Sequence, residues 1–324
     1  MEVVMTPPIL LSICIPTYNR VKHLQNCIES IICQDSFQNG DVEIVISDNC
    51  STDNTRAVAE EYCKRHFNIH YFCNEYNIRD KNFPLAISRG AGLYRKLSND
   101  TMIWSPGSID FVVKTIKINI ARKPVILFYT MEKDTPIRTS SLDETLSYVG
   151  YYATSISCFG VWADDFSYTE DGCEKFLWQT YFLLKNIVEK GEVLIITKEL
   201  YTVKNTPNKD LSYGLFNVFY NNFLGIVQYW LTKGYVSQNV YDNIRKDLLL
   251  VFFPPYVANY RLLTKNKYKF SKTEHLEKHI EEAYKQDKYY KDFLKKTKKI
   301  EIYIRHPKLC MLASKMLMML KKKG

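Results

Sequence analysis

Two short polar clusters carry the residue types that chemistry needs. Pro16-Thr17-Tyr18-Asn19-Arg20 follows the apolar run Leu10 to Ile15, and Ser47-Asp48-Asn49-Cys50-Ser51-Thr52-Asp53 follows the run Val42 to Ile46. The first sets a hydroxyl, an aromatic ring, an amide and a guanidinium side by side, the groups that stack a base and hold a diphosphate. In the second, the Asp48 carboxylate can accept hydrogen bonds from a nucleobase imide or a ribose. Either cluster alone also reads as turn residues and a helix cap. They occur as a pair, about 30 residues apart and each behind an apolar run.

The elements that must position these clusters follow from periodicity. Leu10 to Ile15 reads as a strand, and Val21, Leu24, Ile28, Ile31 and Ile32 fall on one helical face behind it. Val42 to Ile46 has adjacent apolar residues, which suits a strand buried on both faces of a parallel sheet. Ser51-Thr52-Asp53 then resembles a cap for a helix over Thr55 to Lys64. Further strands are expected at Asn68 to Cys73, Leu93 to Leu97 and Val125 to Tyr129, with helices at Phe83 to Ala91 and Pro106 to Ile118. This alternation calls for a mostly parallel sheet with helices on both faces, and ligands in such sheets sit outside the carboxyl ends of the strands. Beyond it, Met131 to Val149 reads as a polar loop or lid, Tyr151 to Trp162 as a strand region, and Glu174 to Glu189 as a long helix. From about Leu211 the chain looks mainly helical, with breaks at Gly214, Gly234 and Pro254-Pro255.

The strings LSICIPTYNR and VEIVISDNCSTDNT, with their spacing and strand context, closely resemble the opening of family 2 glycosyltransferases of the GT-A type. The resemblance continues through Asn74-Glu75-Tyr76-Asn77-Ile78 and Asn82-Phe83, similar to that family's asparagine-rich segment. It implies a nucleotide-sugar donor bound by Pro16, Thr17, Tyr18, Asn19, Arg20, Asp48, Asn77, Arg79, Asn82 and Asn99, with Arg79 and Lys81 near the diphosphate. In the family the next strand ends in an acidic pair or triplet that holds a divalent cation. Here Asn99-Asp100 stands at that place, so Asp100 is the implied metal ligand and Mn2+ or Mg2+ the implied cofactor. One carboxylate can suffice, because such a cation keeps several waters and takes phosphate oxygens.

An inverting transfer also needs a carboxylate to take the proton of the acceptor hydroxyl. Many relatives place it in an acidic pair at a helix start, where this chain has Trp178-Gln179. Asp165 and Asp171 are therefore the expected catalytic residues, each with a competing reading as a loop carboxylate or a cap. Tyr151 to Trp162, rich in rings and hydroxyls, can line an acceptor pocket or simply be core.

Composition limits the remaining choices. With 46% hydrophobic residues, 24 Tyr and 17 Phe against 12 Gly, the 324-residue chain is folded and unusually aromatic. Nine cysteines without a Cys-x-x-Cys pair suit free thiols in a reducing compartment. No signal-peptide pattern and no apolar run of bilayer length is found, so a cytoplasmic location is expected, with a possible peripheral place on the inner face of the cell membrane. The net charge of +9 lies in the tail: Thr264 to Gly324 holds 18 Lys or Arg against 7 Asp or Glu, a net +11 that leaves −2 for the first 263 residues. That distribution argues against a nucleic-acid-binding core and for a C-terminal surface drawn to anionic lipid or phosphate. His306 to Gly324 has the near-helical apolar spacing of an interfacial helix or of a helix packed on the body.

The expected architecture is α/β: a GT-A (Rossmann-like), mostly parallel sheet flanked by helices, with a mainly helical C-terminal region. Its expected boundaries are a transferase domain over 1–210, with a nucleotide-binding half at about 8–130 and an acceptor half at about 131–210, and a helical region over 211–324 with a basic amphipathic end. The expected activity is sugar transfer from a UDP-sugar to a saccharide or lipid-linked acceptor in bacterial surface polysaccharide or lipooligosaccharide synthesis. Two alternatives are a non-catalytic nucleotide-sugar-binding protein and a nucleotidyltransferase. The second wants a glycine-rich phosphate loop, and Pro16 to Arg20 contains no glycine.

Overall fold

The structure is a computed structural model that describes residues 8–129, 135–204, 209–262, 268–270 and 275–307. The chain divides into two compact units, residues 1–205 with 230–237, and residues 206–229 with 238–324.

The first unit follows the alternation read from the sequence. In chain order it runs β1 (Leu11–Thr17), α1 (Val21–Ile32), α2 (Asp35–Gln38), β2 (Val42–Asp48), α3 (Thr55–Arg65), β3 (Ile69–Cys73), α4 (Asn82–Ser88), β4 (Tyr94–Leu97), β5 (Met102–Trp104) and α5 (Ser108–Asn119). It continues with β6 (Val125–Phe128), β7 (Ile137–Thr139), α6 (Leu142–Val149), β8 (Gly160–Trp162), α7 (Trp178–Lys190), β9 (Val193–Ile196) and β10 (Tyr201–Val203). The central sheet has the order β3-β2-β1-β4-β8; its first four strands are parallel and β8 runs antiparallel to β4. All seven residues of β2 are buried, as expected of a strand covered on both faces. Leu24, Cys27, Ile28 and Ile31 repeat at helical spacing and form the buried stripe of α1.

Four expectations need correction. The fifth strand, Val125–Phe128, leaves the central sheet and joins β9 and β7 in a separate three-stranded sheet. Met131 to Val149 is not one loop: beyond residues 130–134, which lie outside the described residues, it forms β7 and then α6, whose Ser141 cap accepts from the Glu144 amide at 3.1 Å. Only Gly160–Trp162 of the expected Tyr151 to Trp162 strand region pairs as a strand, because two 3-10 turns, Gly150–Thr154 and Ile156–Cys158, precede it. Gly160 permits that pairing. A Cβ there would fall 2.3 Å from the hydroxyl of the fully buried Tyr94. The long helix begins at Trp178, after a 3-10 turn at Cys173–Lys175 and a left-handed Phe176 with φ 56°.

The second unit is mainly helical, with helices Gln238–Asp247, Phe253–Arg261, Leu276–Tyr284 and Tyr290–Arg305. Two π-helical stretches, Asn217–Phe223 and Leu248–Phe252, interrupt the α-geometry, and Lys209–Leu211 pairs in parallel with Tyr268–Phe270. Pro254 and Pro255 stand in the first turn of Phe253–Arg261, directly after the π-helical stretch. The expected amphipathic stretch, His306 to Gly324, lies outside the described residues but for its first two positions. Among the described residues no helix is long and apolar enough to cross a membrane.

Candidate active site

The parallel register aligns Thr17 of β1 with Asp48 of β2, and Cys14 of β1 with Leu97 of β4, so the polar clusters after these strands emerge at one edge of the sheet. A cavity of about 190 Å³ opens there. Pro16, Thr17, Tyr18 and Arg20 line it from the end of β1, and Asn99 and Asp100 from the end of β4. Arg79 and Asn82 come from the turn that opens α4. Asn49, Phe83 and Ile156 complete the wall; sequence reasoning had not assigned them to the donor. A cleft of about 590 Å³ in the helical unit, lined in part by Phe216, Tyr220 and His279, is larger but contains none of the predicted residues.

Asp100 anchors the floor. It is 1% exposed, and each of its oxygens has a partner: Thr17 donates its hydroxyl to Oδ2 at 2.9 Å, and Arg20 donates from Nη1 to Oδ1 at 3.1 Å. Burial raises its carboxyl above the usual range, while the Arg20 charge and the Thr17 and Arg20 hydrogen bonds pull the other way. Neighbouring Asn99 accepts from the Thr101 hydroxyl at 3.2 Å, which shapes the turn between β4 and β5.

Three predicted residues do not line the cavity and instead hold the loops that do. Asn19, left-handed at φ 52°, accepts from the Thr52 amide at 2.7 Å and the Asp53 amide at 3.3 Å and donates its own amide to Ser51 Oγ at 2.8 Å. Asp48 is fully buried, accepting from the Ser51 amide at 3.0 Å, the Ser51 hydroxyl at 2.6 Å and the Tyr71 hydroxyl at 2.8 Å. Asn77 accepts from Asn49 Nδ2 at 2.8 Å and from the Arg79 amide at 2.9 Å, which fixes the left-handed Arg79 at φ 54°.

A net of short polar side chains lies beneath. Asn82 accepts the Ser47 hydroxyl at 2.6 Å and the Asn74 amide at 3.0 Å, and donates to the Ser47 carbonyl at 2.8 Å. Arg89 donates to Ser47 Oγ at 2.6 Å and to Asn74 Oδ1 at 2.9 Å. The side-chain amides of the asparagine-rich segment therefore satisfy one another and hold Arg79 and Asn82 at the wall.

The two expected catalytic carboxylates are not brought to the cavity. Asp165 pairs with Lys190, both partly buried, in the turn after β8. Asp171 is exposed, and its amide donates to Thr169 Oγ1 at 3.1 Å. Its segment is tied to the Arg79 turn through an ion pair between Lys81 and Glu170 at 2.6 Å. A carboxylate that sequence reasoning passed over lies between them: Asp80 is 7% exposed and accepts from the Trp178 amide at 3.3 Å. Burial pushes it up to about 7, against that hydrogen bond and with help from Glu174. An acid flanked by two cations gave no signal of burial.

The lining offers two guanidinium groups and one carboxylate, an electropositive surface suited to a diphosphate. Asp100 beside the Asn99 amide oxygen fits a hard divalent cation that draws its other ligands from phosphate and water. Among the described residues no group of three or more His, Cys, Asp or Glu gathers to hold a metal without such help. The eight described cysteines are free thiols, and four of them are buried.

Comparison with known proteins matches residues 12–93 to the sequence model of glycosyl transferase family 2. The chain is 39% identical over 107 residues, 32% of its length and 29% of the relative's, to abequosyltransferase RfbV of Salmonella typhimurium. It is 42% identical over 65 residues, 20% of each protein, to the GalNAc(5)-diNAcBac-PP-undecaprenol beta-1,3-glucosyltransferase of Campylobacter jejuni. It thus spans less than a third of the length of these curated relatives. The fold is shared with S. aureus TarS 1–349, solved in complex with UDP-GlcNAc (TM-score 0.55, 15% identity, 92% of each chain). It is shared also with mannosyltransferase PcManGT of Pyrobaculum calidifontis in complex with GDP-Man and Mn2+ (TM-score 0.51, 12% identity, 92% and 88% of the chains).

Proposed function

We propose, from residues 12–93 that match the model of glycosyl transferase family 2, an enzyme that moves a sugar from a UDP-sugar to a saccharide or lipid-linked acceptor in bacterial surface polysaccharide or lipooligosaccharide synthesis. The observation that carries the reading is the strand-end cavity in which Tyr18, Arg20, Arg79 and Asp100 converge. The curated relatives support the reaction class, since both carry names of sugar transferases.

In this reading the half-exposed Tyr18 ring stacks on the base, and Arg20 and Arg79 face the diphosphate. Asp100, with Asn99, would hold Mn2+ or Mg2+. Such a cation, when bound, neutralises charge on the departing diphosphate. Asn49 and Asn77 keep Arg79 aimed, and Ile156 marks the side from which the acceptor enters. The base that this reading proposes for the proton of the attacking hydroxyl is Asp171, which stands outside the cavity on the exposed segment clipped to the Arg79 turn. The enzyme works in the cytoplasm, and its basic tail, net +11 over the last 61 residues, draws it to the anionic inner face of the membrane.

The deciding experiment is binding and hydrolysis of a panel of UDP-, GDP-, dTDP- and CDP-sugars with and without Mn2+ or Mg2+, on the protein and on Asp100→Ala. Metal-promoted donor hydrolysis that the variant loses supports the transferase. Binding without hydrolysis or transfer favours a non-catalytic nucleotide-sugar-binding protein, and no binding by the folded protein sinks both.

A further inference from the structure

Arg20 and Asp100 form an ion pair across the mouth of the donor cavity, and the two ends differ in their access to water. The Asp100 side chain is 1% exposed and the Arg20 side chain 41% exposed, so Arg20 covers the carboxylate from the solvent side. A buried carboxylate without a cation is costly, and in this structure Arg20 supplies the positive charge. Thr17 takes Oδ2 and Arg20 takes Oδ1, so an incoming divalent cation finds no unshared oxygen on the one carboxylate in the lining. Two cations at one carboxylate also repel each other unless an anion enters with the second.

We propose that Arg20 is a built-in stand-in for the divalent cation: it occupies Asp100 while the cavity is empty, and leaves Asp100 for the diphosphate when a nucleoside diphosphate enters together with the metal. The exchange keeps charge balanced at each stage. Arg20 neutralises Asp100 before binding; afterwards the cation does so, and the guanidinium pairs with phosphate oxygens, for which its planar fork is well shaped. Its starting place favours the move. Arg20 stands at the N-cap of α1 without a side-chain cap of its own, and its half-exposed head is free to turn toward the cavity that it already lines. The consequence is an ordered site, in which the cation binds poorly alone and well only with the nucleotide. A cell's free Mn2+ or Mg2+ then does not occupy the enzyme unproductively. This inference rests on the proposed donor site.

The test measures bound Mn2+ from the loss of the free-ion electron paramagnetic resonance signal, with and without UDP, for the wild type, Arg20→Ala, Arg20→Lys and Arg20→Ala/Asp100→Asn. Without UDP, Arg20→Ala should bind Mn2+ at least about 10-fold more tightly than the wild type. Arg20→Lys, which keeps a cation beside Asp100, should remain weak, and the double variant should lose the gain. With UDP the order should reverse, because Arg20→Ala lacks the phosphate contact. If UDP promotes Mn2+ binding to the wild type while Arg20→Ala without UDP binds Mn2+ no better than the wild type, the stand-in is wrong and the donor site survives. If Arg20→Ala gains Mn2+ affinity but UDP changes nothing in any protein, Arg20 shields Asp100 from the metal, while the exchange with a diphosphate is overturned and the donor reading fails. Absence of Mn2+ binding to every protein under both conditions overturns both.

Discussion

Lys96 Nζ, fully buried on β4, donates to the Ser157 carbonyl at 2.6 Å and so fastens the 3-10 turn whose Ile156 lines the donor cavity. The Phe128 ring face 4.3 Å away and the carbonyl favour the ammonium; burial opposes it and wins, pushing the group down to about 7. A group with its folded pKa below the unfolded 10.5 releases its proton more readily in the folded state. Its contribution to stability is complete above about 10.5 and is lost as pH falls to about 7. Lys96→Met should remove a rise on the order of 4 kcal/mol between those limits, read from denaturant midpoints across the pH range. It should also raise KM for the acceptor, because the turn at Ile156 is released.

Asp80 predicts the opposite slope on the acid side. Its carboxyl moves from 3.8 up to about 7 on folding, so its contribution is complete below 3.8 and is lost as pH rises through about 7. Asp80→Asn keeps an oxygen for the Trp178 amide and removes the titration. The wild type should lose on the order of 4 kcal/mol between pH 4 and 7 that the variant does not, and the two melting curves should converge at the acid end. Equal slopes in both proteins would contradict the burial argument.

Asn82 satisfies the Ser47 hydroxyl, the Ser47 carbonyl and the Asn74 amide at once. Asn82→Ala leaves these buried groups without that partner, and a cost of about 3 kcal/mol is expected in urea unfolding. Weaker donor binding should accompany it, because Asn82 also lines the cavity.

The acid residues separate by their partners. Asp171→Asn should lower kcat about 10²-fold or more with little change in melting temperature, as a lost general base does. Asp165→Ala should do the reverse, since it leaves the partly buried Lys190 with the Lys123 carbonyl but no counter-charge and touches no cavity wall: turnover within a few-fold, and stability lower by about 1 kcal/mol. Steady-state kinetics beside thermal melts distinguishes the two, and unchanged kcat in Asp171→Asn would remove it from the mechanism.

The sheet was legible because β1 and β2 are apolar runs that end abruptly in polar clusters, a signal that survives without any tertiary information, whereas β4 carries Arg95 and Lys96 and is no such run. Of the lining residues, Pro16, Thr17, Tyr18 and Arg20 lie at the end of β1 and were found with it, and Asn99 and Asp100 were found through the family resemblance. What escaped depends on how distant segments meet. Ile156 sits in an aromatic stretch that looks like a strand, and its 3-10 turn is tied by backbone hydrogen bonds and by a tether from Lys96, 61 residues before Ser157. Asp80 is buried by α7, which begins 98 residues later at Trp178. Asp48 looked like a ligand residue, but Ser51 and Tyr71 claim its oxygens, a competition that local pattern does not display. The late start of α7 depends on a left-handed Phe176, a conformation that its side chain gives no reason to expect.

The amide of Asn19 belongs to the turn after β1, yet it grips the backbone of Thr52 and Asp53 after β2, while Asp53 in return accepts from the Val21 amide at 3.1 Å. The two turns are therefore a single unit of heredity. An insertion or a residue change in one breaks bonds in both, and survives in descendants only when the other changes to match. Divergence in this protein should thus proceed at the far walls of the cavity, around Phe83 and Ile156, while the paired turns pass unaltered from one specificity to the next.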